Sequence, residues 1–258
     1  VNPEHRQGDY RVRFDWGPVG AAAVRAEVTV VVDVLSFTTT LSVAADLGIE
    51  VFPYRWGHDG VGEYAAARGA VAAVGRRAAA PGQVSLSPGT LRRAEPFERL
   101  VLPSPNGSTI AHELAAAGSL CAGASLRNAA AVAGWIGAGR SVAVVAAGER
   151  WADGSLRPAV EDLWGAGAVL ANLPDQEGFS PEARMAVRAW LGVEREIGGA
   201  LRGCASGREL IAIGFAGDVE IAGEVGGSAA VPVPAGERFV STAPGRGWPP
   251  GSAPTPRG

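Results

Sequence analysis

Cysteine is nearly absent from this chain of 258 residues, which holds only Cys121 and Cys204. Two isolated thiols exclude a disulfide framework and a thiolate zinc site, and a reducing cytoplasm is the expected compartment. An excess of charge of either sign is also missing. The 26 acidic and 23 basic residues leave a formal net charge of −3, which argues against a broad grip on nucleic acid or an anionic membrane but leaves room for a local basic pocket. No apolar run approaches the ~20 residues of a membrane span. The opening VNPEHRQGDYRVRFDWG lacks the apolar stretch of a signal peptide. Histidine is scarce: His5 and His58 read as loop residues and His112 as a helix-surface residue, with no ligand spacing among them. GVGEYA at 60–65 lacks the third glycine of a dinucleotide fingerprint, and the chain has no internal repeat. These absences leave a cytoplasmic protein whose partner is a small molecule, neither nucleic acid nor membrane.

What is present is apolar sequence, 47% of the chain, enough for a substantial core. Separating apolar runs from helical spacing predicts strands at 28–32, 49–53, 70–74, 100–102, 119–122 and 141–147. Helices are predicted between them, at 38–47, 62–68, 108–117, 128–136 and 160–173. Gly48 and Gly118 stand where two of these helices should close, and Asn128 where one should be capped. The alternation is that of an α/β fold, a mostly parallel sheet with helices on both faces. After about residue 174 the pattern loosens, although Ser180-Pro181 announces a further helix. The expected organisation is one region over residues 1–240, divided near 174 if it divides, and a disordered Pro/Gly-rich tail at 241–258. Seven tryptophans, among them Trp135, Trp151 and Trp164, leave room for a homo-oligomer contact.

Ligands of parallel sheets collect beyond the carboxyl ends of the strands. Three such ends carry polar chemistry. In VTVVVDVLSFTTTL, Asp33 ends an apolar strand at a desolvation cost unless something pairs with it. Ser36, Thr38 and Thr39 then open a helix whose free N–H groups suit a phosphate, or merely cap it. In LVLPSPNGSTIAHEL, Asn106, Gly107 and Ser108 form a turn that resembles an anion cradle, or an ordinary strand-to-helix turn. In VAVVAAGERWADGSLRPAVEDLWGAGAVL, Glu149 follows a strand, and Glu161 and Asp162 open a largely apolar helix. Acids in a first turn commonly complement the helix dipole; placed across from Asp33, they could instead share Mg²⁺.

Together, DVLSFTTTLSVAADLG, SPNGSTIA, GASLRNAAAVA, AAGERWADGSLRPAVEDLWGAGAVL and GRELIAIGFAGDVEIAG...VPVP resemble, in order and spacing, the 2-phosphosulfolactate phosphatase family, the ComB-like proteins, over about residues 14–240. The resemblance implies an α/β/α fold of that family's own type. It also implies a Mg²⁺-dependent phosphomonoesterase acting on 2-phospho-3-sulfolactate. Carried onto matching positions, it implies Asp33, Glu161 and Asp162 as acidic site residues; that they are the catalytic acids and hold the metal is the expectation added to it. Asn106, Gly107 and Ser108 then lie on the phosphate side, and Asn128 at another strand end. Two departures stand out. Ser36 occupies the place of an arginine usual in the family, whose loss costs ~1.5–3 kcal/mol of charge-assisted contact unless Arg127, Arg150 or Arg157 replaces it. Ala146 stands where a cysteine is usual, which excludes a thiol nucleophile there.

The expected function is therefore Mg²⁺-dependent hydrolysis of a small phosphorylated hydroxy acid, by attack of water or of Asp33, with the N–H groups near 106–108 steadying the phosphoryl oxygens. Two alternatives accompany it: an anion-binding relative without turnover, and a haloacid-dehalogenase-type phosphatase. The latter needs a second aspartate where this chain has Leu35.

Overall fold

The computed structural model describes residues 2–55, 59–104, 106–107, 110 and 120–242. A five-residue strand, β2 (Val28–Val32), is buried along its whole length. The run of β-branched residues suits a strand covered on both faces, and burying each valine contributes ~1.5–3 kcal/mol. It lies between β7 (Val142–Ala146) and β6 (Leu120–Ala124), and β1 (Val12–Trp16) adds to the far side of β7. All three pairings are parallel, with Val32 opposite Ala146 and Ala124. Three neighbouring carboxyl ends therefore open at one rim.

The alternation predicted a mostly parallel sheet with helices around it, which the first sheet is, but among the described residues the chain also builds a second sheet and a two-stranded hairpin of β8 (Glu149–Arg150) and β9 (Leu156–Arg157). β3 (Glu50–Arg55), β4 (Val71–Ala72) and β5 (Arg99–Ser104) form the second sheet, whose other side is the antiparallel pair β10 (Val231–Ala235) and β11 (Arg238–Thr242). The period of a strand shows what it buries but not which sheet it joins. β1 was not foreseen either, because its alternating Val12, Arg13, Phe14 and Asp15 is the pattern of an edge strand with one wet face. Ser241 and Thr242, expected to open the disordered tail, belong to β11, while residues 243–258, the helix predicted at 108–117 apart from Ile110, Gly118 and His58 lie outside the described residues, as do Ser108 and His112 within that helix.

Around the sheets stand α1 (Gly17–Ala23), α2 (Phe37–Asp46), α3 (Val61–Ala66), α4 (Pro88–Arg92), α5 (Ala129–Ile136), α6 (Val160–Ala171), α7 (Pro181–Leu191), α8 (Ile197–Gly203), α9 (Ala205–Ala212) and α10 (Ala216–Ala222). Gly48, just past α2, has φ +74°, a conformation glycine takes without penalty. Ser180 caps α7 by accepting from Ala183 N at 3.1 Å. Among the described residues, no helix is long and apolar enough to cross a membrane.

Helix α2 touches β6 of the first sheet and β3, β10 and β11 of the second, and residues 37–45 are all buried. Its hydroxyls accordingly turn to main-chain carbonyls: Thr39 Oγ1 donates to Val34 O at 2.7 Å and Thr40 Oγ1 to Leu86 O at 2.9 Å. Helix α6 is small-sided for a similar reason. A Cβ on Gly165 would lie 2.6 Å from Val34 Cγ2, and one on Gly167 2.1 Å from the Ala186 carbonyl oxygen of α7. Trp164 is part of that core, Trp135 packs at its margin, and Trp151 is exposed.

The α6–α7 contact generates a prediction. Gly167→Ala should lose ~2 kcal/mol or more, because a backbone oxygen cannot yield to the new methyl group. Gly199→Ala in α8, where nothing lies within 4 Å, should be neutral or stabilising by up to ~1 kcal/mol. Urea midpoints of the two variants, at unchanged slope, measure the difference.

Candidate active site

The carboxyl end of β2 delivers Asp33, which is only 6% exposed. Its Oδ1 accepts from Phe37 N at 3.0 Å, the opening of α2, and its Oδ2 from Gly107 N at 2.9 Å, in the loop after β5 of the other sheet. The first turn of α6 supplies Asp162, whose Oδ1 accepts from Val34 N at 2.7 Å and whose Oδ2 accepts from Gly148 N at 2.9 Å. Asp162 is thus bonded to the residue next to Asp33. From the end of β7 comes Glu149, whose Oε2 accepts from Asn106 Nδ2 at 3.0 Å. Glu161 is 2% exposed, and its Oε2 has no hydrogen-bond partner, although the Cys204 thiol faces its carboxyl group.

These four acids act on one another. Burial is the main cause that raises the Asp33 carboxyl to about 6, with Glu161 adding to it, while the Phe37 and Gly107 N–H groups and the Arg76 guanidinium pull the other way. Glu149 is raised to about 7 by burial and then by Asp33, against the Asn106 hydrogen bond and Arg157. Asp162 is pushed well above the usual carboxylate range by burial, then by Asp33 and Glu161. The two thiols are pushed up as well, Cys204 to about 11 and Cys121 to about 12, chiefly by burial. Neither is a thiolate at neutral pH, so cysteine chemistry has no nucleophile here.

Among the described residues, no three His, Cys, Asp or Glu side chains converge tightly enough to form a ready-made metal cage. Mg²⁺ rarely needs one, since it usually keeps several waters and takes only one or two carboxylates. The donor set suits such an ion. Glu161 offers a buried oxygen with no partner, Asp33 and Asp162 keep further lone pairs beyond their N–H bonds, and neighbouring acids add to the raised proton affinity of Asp33, Glu149 and Asp162.

Several candidates read from the sequence are engaged differently. The N–H of Gly107, expected to face a phosphate, donates to Asp33, and Asn106 holds Glu149. Thr38 Oγ1 donates to Asp33 O at 2.7 Å and accepts from Asp33 N at 2.9 Å, which ties the helix start to the strand end without capping the helix. Asn128 sits at the start of α5 without capping it: its Oδ1 accepts from Ser125 N, and its Nδ2 donates to Gly123 O and Ala230 O. Arg127 is buried in an internal clamp to Ser42, Asp46 and Glu224. Arg150 Nη1 donates to Gly154 O on an exposed hairpin. Arg157 stays near the acids, with Nη2 donating to Ser206 Oγ at 3.1 Å.

The guanidinium that stands beside Ser36 comes from Arg76, whose Nη2 donates to Ser36 Oγ. Sequence reading did not single it out, because RRAAAPG looks like a solvated loop and nothing local ties residue 76 to residue 36. The chain contains no lysine, so all 23 Lys-plus-Arg positions are arginines, and an arginine pair carries little signal. Arg76, Leu35, Leu86, Glu149, Ser206 and Leu210 line a cleft of about 460 Å³. Glu149 also lines a second cleft of about 300 Å³, with Trp16, Asn106 and Leu156.

Compared with known families, residues 20–236 match the family model described as 2-phosphosulpholactate phosphatase. No curated protein matches the chain.

The raised carboxyls have a consequence for stability. Between about pH 4, where these groups titrate in the unfolded chain, and about 6–7, where Asp33 and Glu149 titrate when folded, the native state binds more protons than the unfolded one. Stability therefore falls as pH rises through that window. Thermal unfolding of chelator-treated protein should show Tm dropping from pH 5 to pH 8, with a shallower drop in Asp162→Asn.

Proposed function

The chain belongs to the 2-phosphosulpholactate phosphatase family, whose members are phosphoric monoester hydrolases, and we propose that it hydrolyses 2-phosphosulfolactate to sulfolactate and phosphate with Mg²⁺ as cofactor. The observation that carries the Mg²⁺ assignment is the unpartnered, buried Oε2 of Glu161, together with the buried Asp33 and Asp162 and the half-buried Glu149. A carboxylate oxygen out of water and without a donor is costly, and a divalent cation offsets that cost. Asp33 and one of Glu161 and Asp162 would hold it, Glu161 being favoured by its open oxygen, and water would fill the remaining positions. Bound there, Mg²⁺ supplies neutralisation of the phosphoryl oxygens.

The chain's own groups divide the rest of the work. Both oxygens of Asp33 are held by N–H groups, which stabilise the carboxylate charge and lower its nucleophilicity, so we assign the attack to water in line with the leaving oxygen. Glu149, raised to about 7, holds a proton in a substantial fraction of molecules near neutral pH, and that form gives it to the departing alkoxide. Asn106 fixes the direction of that carboxyl through its Nδ2. Arg157, which faces Glu149 electrostatically and is bonded to Ser206, supplies a cation for the phosphate dianion.

Phosphate release from 2-phosphosulfolactate and a panel of phosphorylated hydroxy acids, in Mg²⁺ and in EDTA, tests the reading; activity should vanish in EDTA and return with added Mg²⁺. Glu161→Gln should lower kcat/KM at least ~100-fold and raise the Mg²⁺ concentration needed for half-maximal thermal stabilisation. An unchanged Mg²⁺ requirement would remove Glu161 from the metal. A wild-type protein that hydrolyses nothing while phosphate analogues still raise its Tm would make it an anion binder instead. With a chiral phosphate ester, direct attack by water should invert configuration at phosphorus; retention would point to two displacements, the first by Asp33.

A further inference from the structure

Arg76 lies in a short turn, Arg76–Ala78, and its position is dictated from three sides. Its Nε donates to Asp218 Oδ2 at 3.0 Å, and Asp218 is itself locked in α10, with Oδ1 accepting from Ser87 Oγ at 2.5 Å and from Gly89 N at 3.2 Å. Its Nη2 donates to Ser36 Oγ and to Leu86 O at 3.4 Å. The Phe215 ring lies 5.8 Å from its Cζ. The Arg76 side chain is 12% exposed and that of Asp218 2%. Nη1 has no hydrogen bond to any described residue, and Arg76 lines the cleft of about 460 Å³. The guanidinium is thus held through Nε and Nη2 while Nη1 stays free for water or for a ligand.

The cleft beside it is not built for phosphate alone. Leu35, Leu86, Leu210 and Ile213 give it apolar walls, and its volume exceeds what a bare phosphate needs and falls in the range of small-molecule pockets. The acids that serve the phosphoryl group enter it only through Glu149. Arg77 also borders the cleft, but it is largely solvated, with its nearest acid, Glu209, at 4.0 Å. Arg76 is the cation held in place there.

Building on the phosphomonoesterase reading, we propose that Arg76, positioned by Asp218, is the specificity-determining residue of the site: its Nη1 edge takes an oxyacid group, carboxylate or sulfonate, on the organic part of the substrate. Asp218 touches no substrate; it sets the direction of the fork. The pair favours phosphorylated acids over neutral phosphomonoesters.

Arg76→Ala, Arg76→Lys and Asp218→Asn, each checked for folding by circular dichroism and Tm, test this with 2-phosphosulfolactate, with p-nitrophenyl phosphate, and with sulfolactate binding by calorimetry. Arg76→Ala should raise KM for 2-phosphosulfolactate and Kd for sulfolactate ~10- to 100-fold. The change with p-nitrophenyl phosphate should be at least tenfold smaller, with Asp218→Asn intermediate and Arg76→Lys a partial rescue. Equal losses on both substrates, confined to kcat, would overturn the proposal and move Arg76 to the phosphoryl group. A sulfolactate Kd that Arg76→Ala leaves unaltered, or no sulfolactate binding by the wild type, would also overturn it. If the wild type hydrolyses neither ester, the phosphatase reading fails by itself, and the calorimetry still decides the role of Arg76. If Arg76→Ala does not fold, the other two variants carry the same comparison.

Discussion

The site depends on main-chain N–H groups holding carboxylates out of water. Asp162 joins the first turn of α6 to the end of β2 through Val34 N and to the end of β7 through Gly148 N. Asp33 does the same between the opening of α2 and the loop after β5. Each bond satisfies a donor that a strand end or helix start would otherwise leave orphaned, and each fixes one direction of a carboxylate. The same bonds lower the proton affinity of acids that burial and mutual repulsion raise. Asp33 and Asp162 are thereby held close to one another's main chain with N–H groups as their hydrogen-bond partners.

Much of the first sheet was legible because its strands are continuous apolar runs: β2 was read at 28–32, where it lies. Asp33 was legible for the complementary reason, as an acid placed where water is excluded. The second sheet was not, since parallel strands of either sheet alternate with helices in the same way. Nor was the use of the turn at 106–107, because Asn-Gly reads as an anion cradle whether its N–H groups face a ligand or an aspartate. Arg76 was illegible because its meaning lies wholly in partners distant in sequence, Ser36 and Asp218.

Helix α2 shows how the two sheets come to share a site. It has no wet face from residue 37 to residue 45, so its threonines and Ser42 donate to main-chain carbonyls at Asp33, Val34, Thr39 and Leu86. Arg127 fastens its far end by reaching Ser42, Asp46 and Glu224 together. With both ends fastened, the strand ends of two separate sheets are held in register.

Gly107 is the narrowest point of that junction. A β-carbon there would come within 2.7 Å of both Asp33 Oδ2 and Phe37 Cδ1, closer than atoms that are not bonded can approach. Even alanine would therefore act as a wedge, prising the β5 loop off the β2 terminus. The spacing between the halves of the molecule is set by the smallest side chain available, a hydrogen atom.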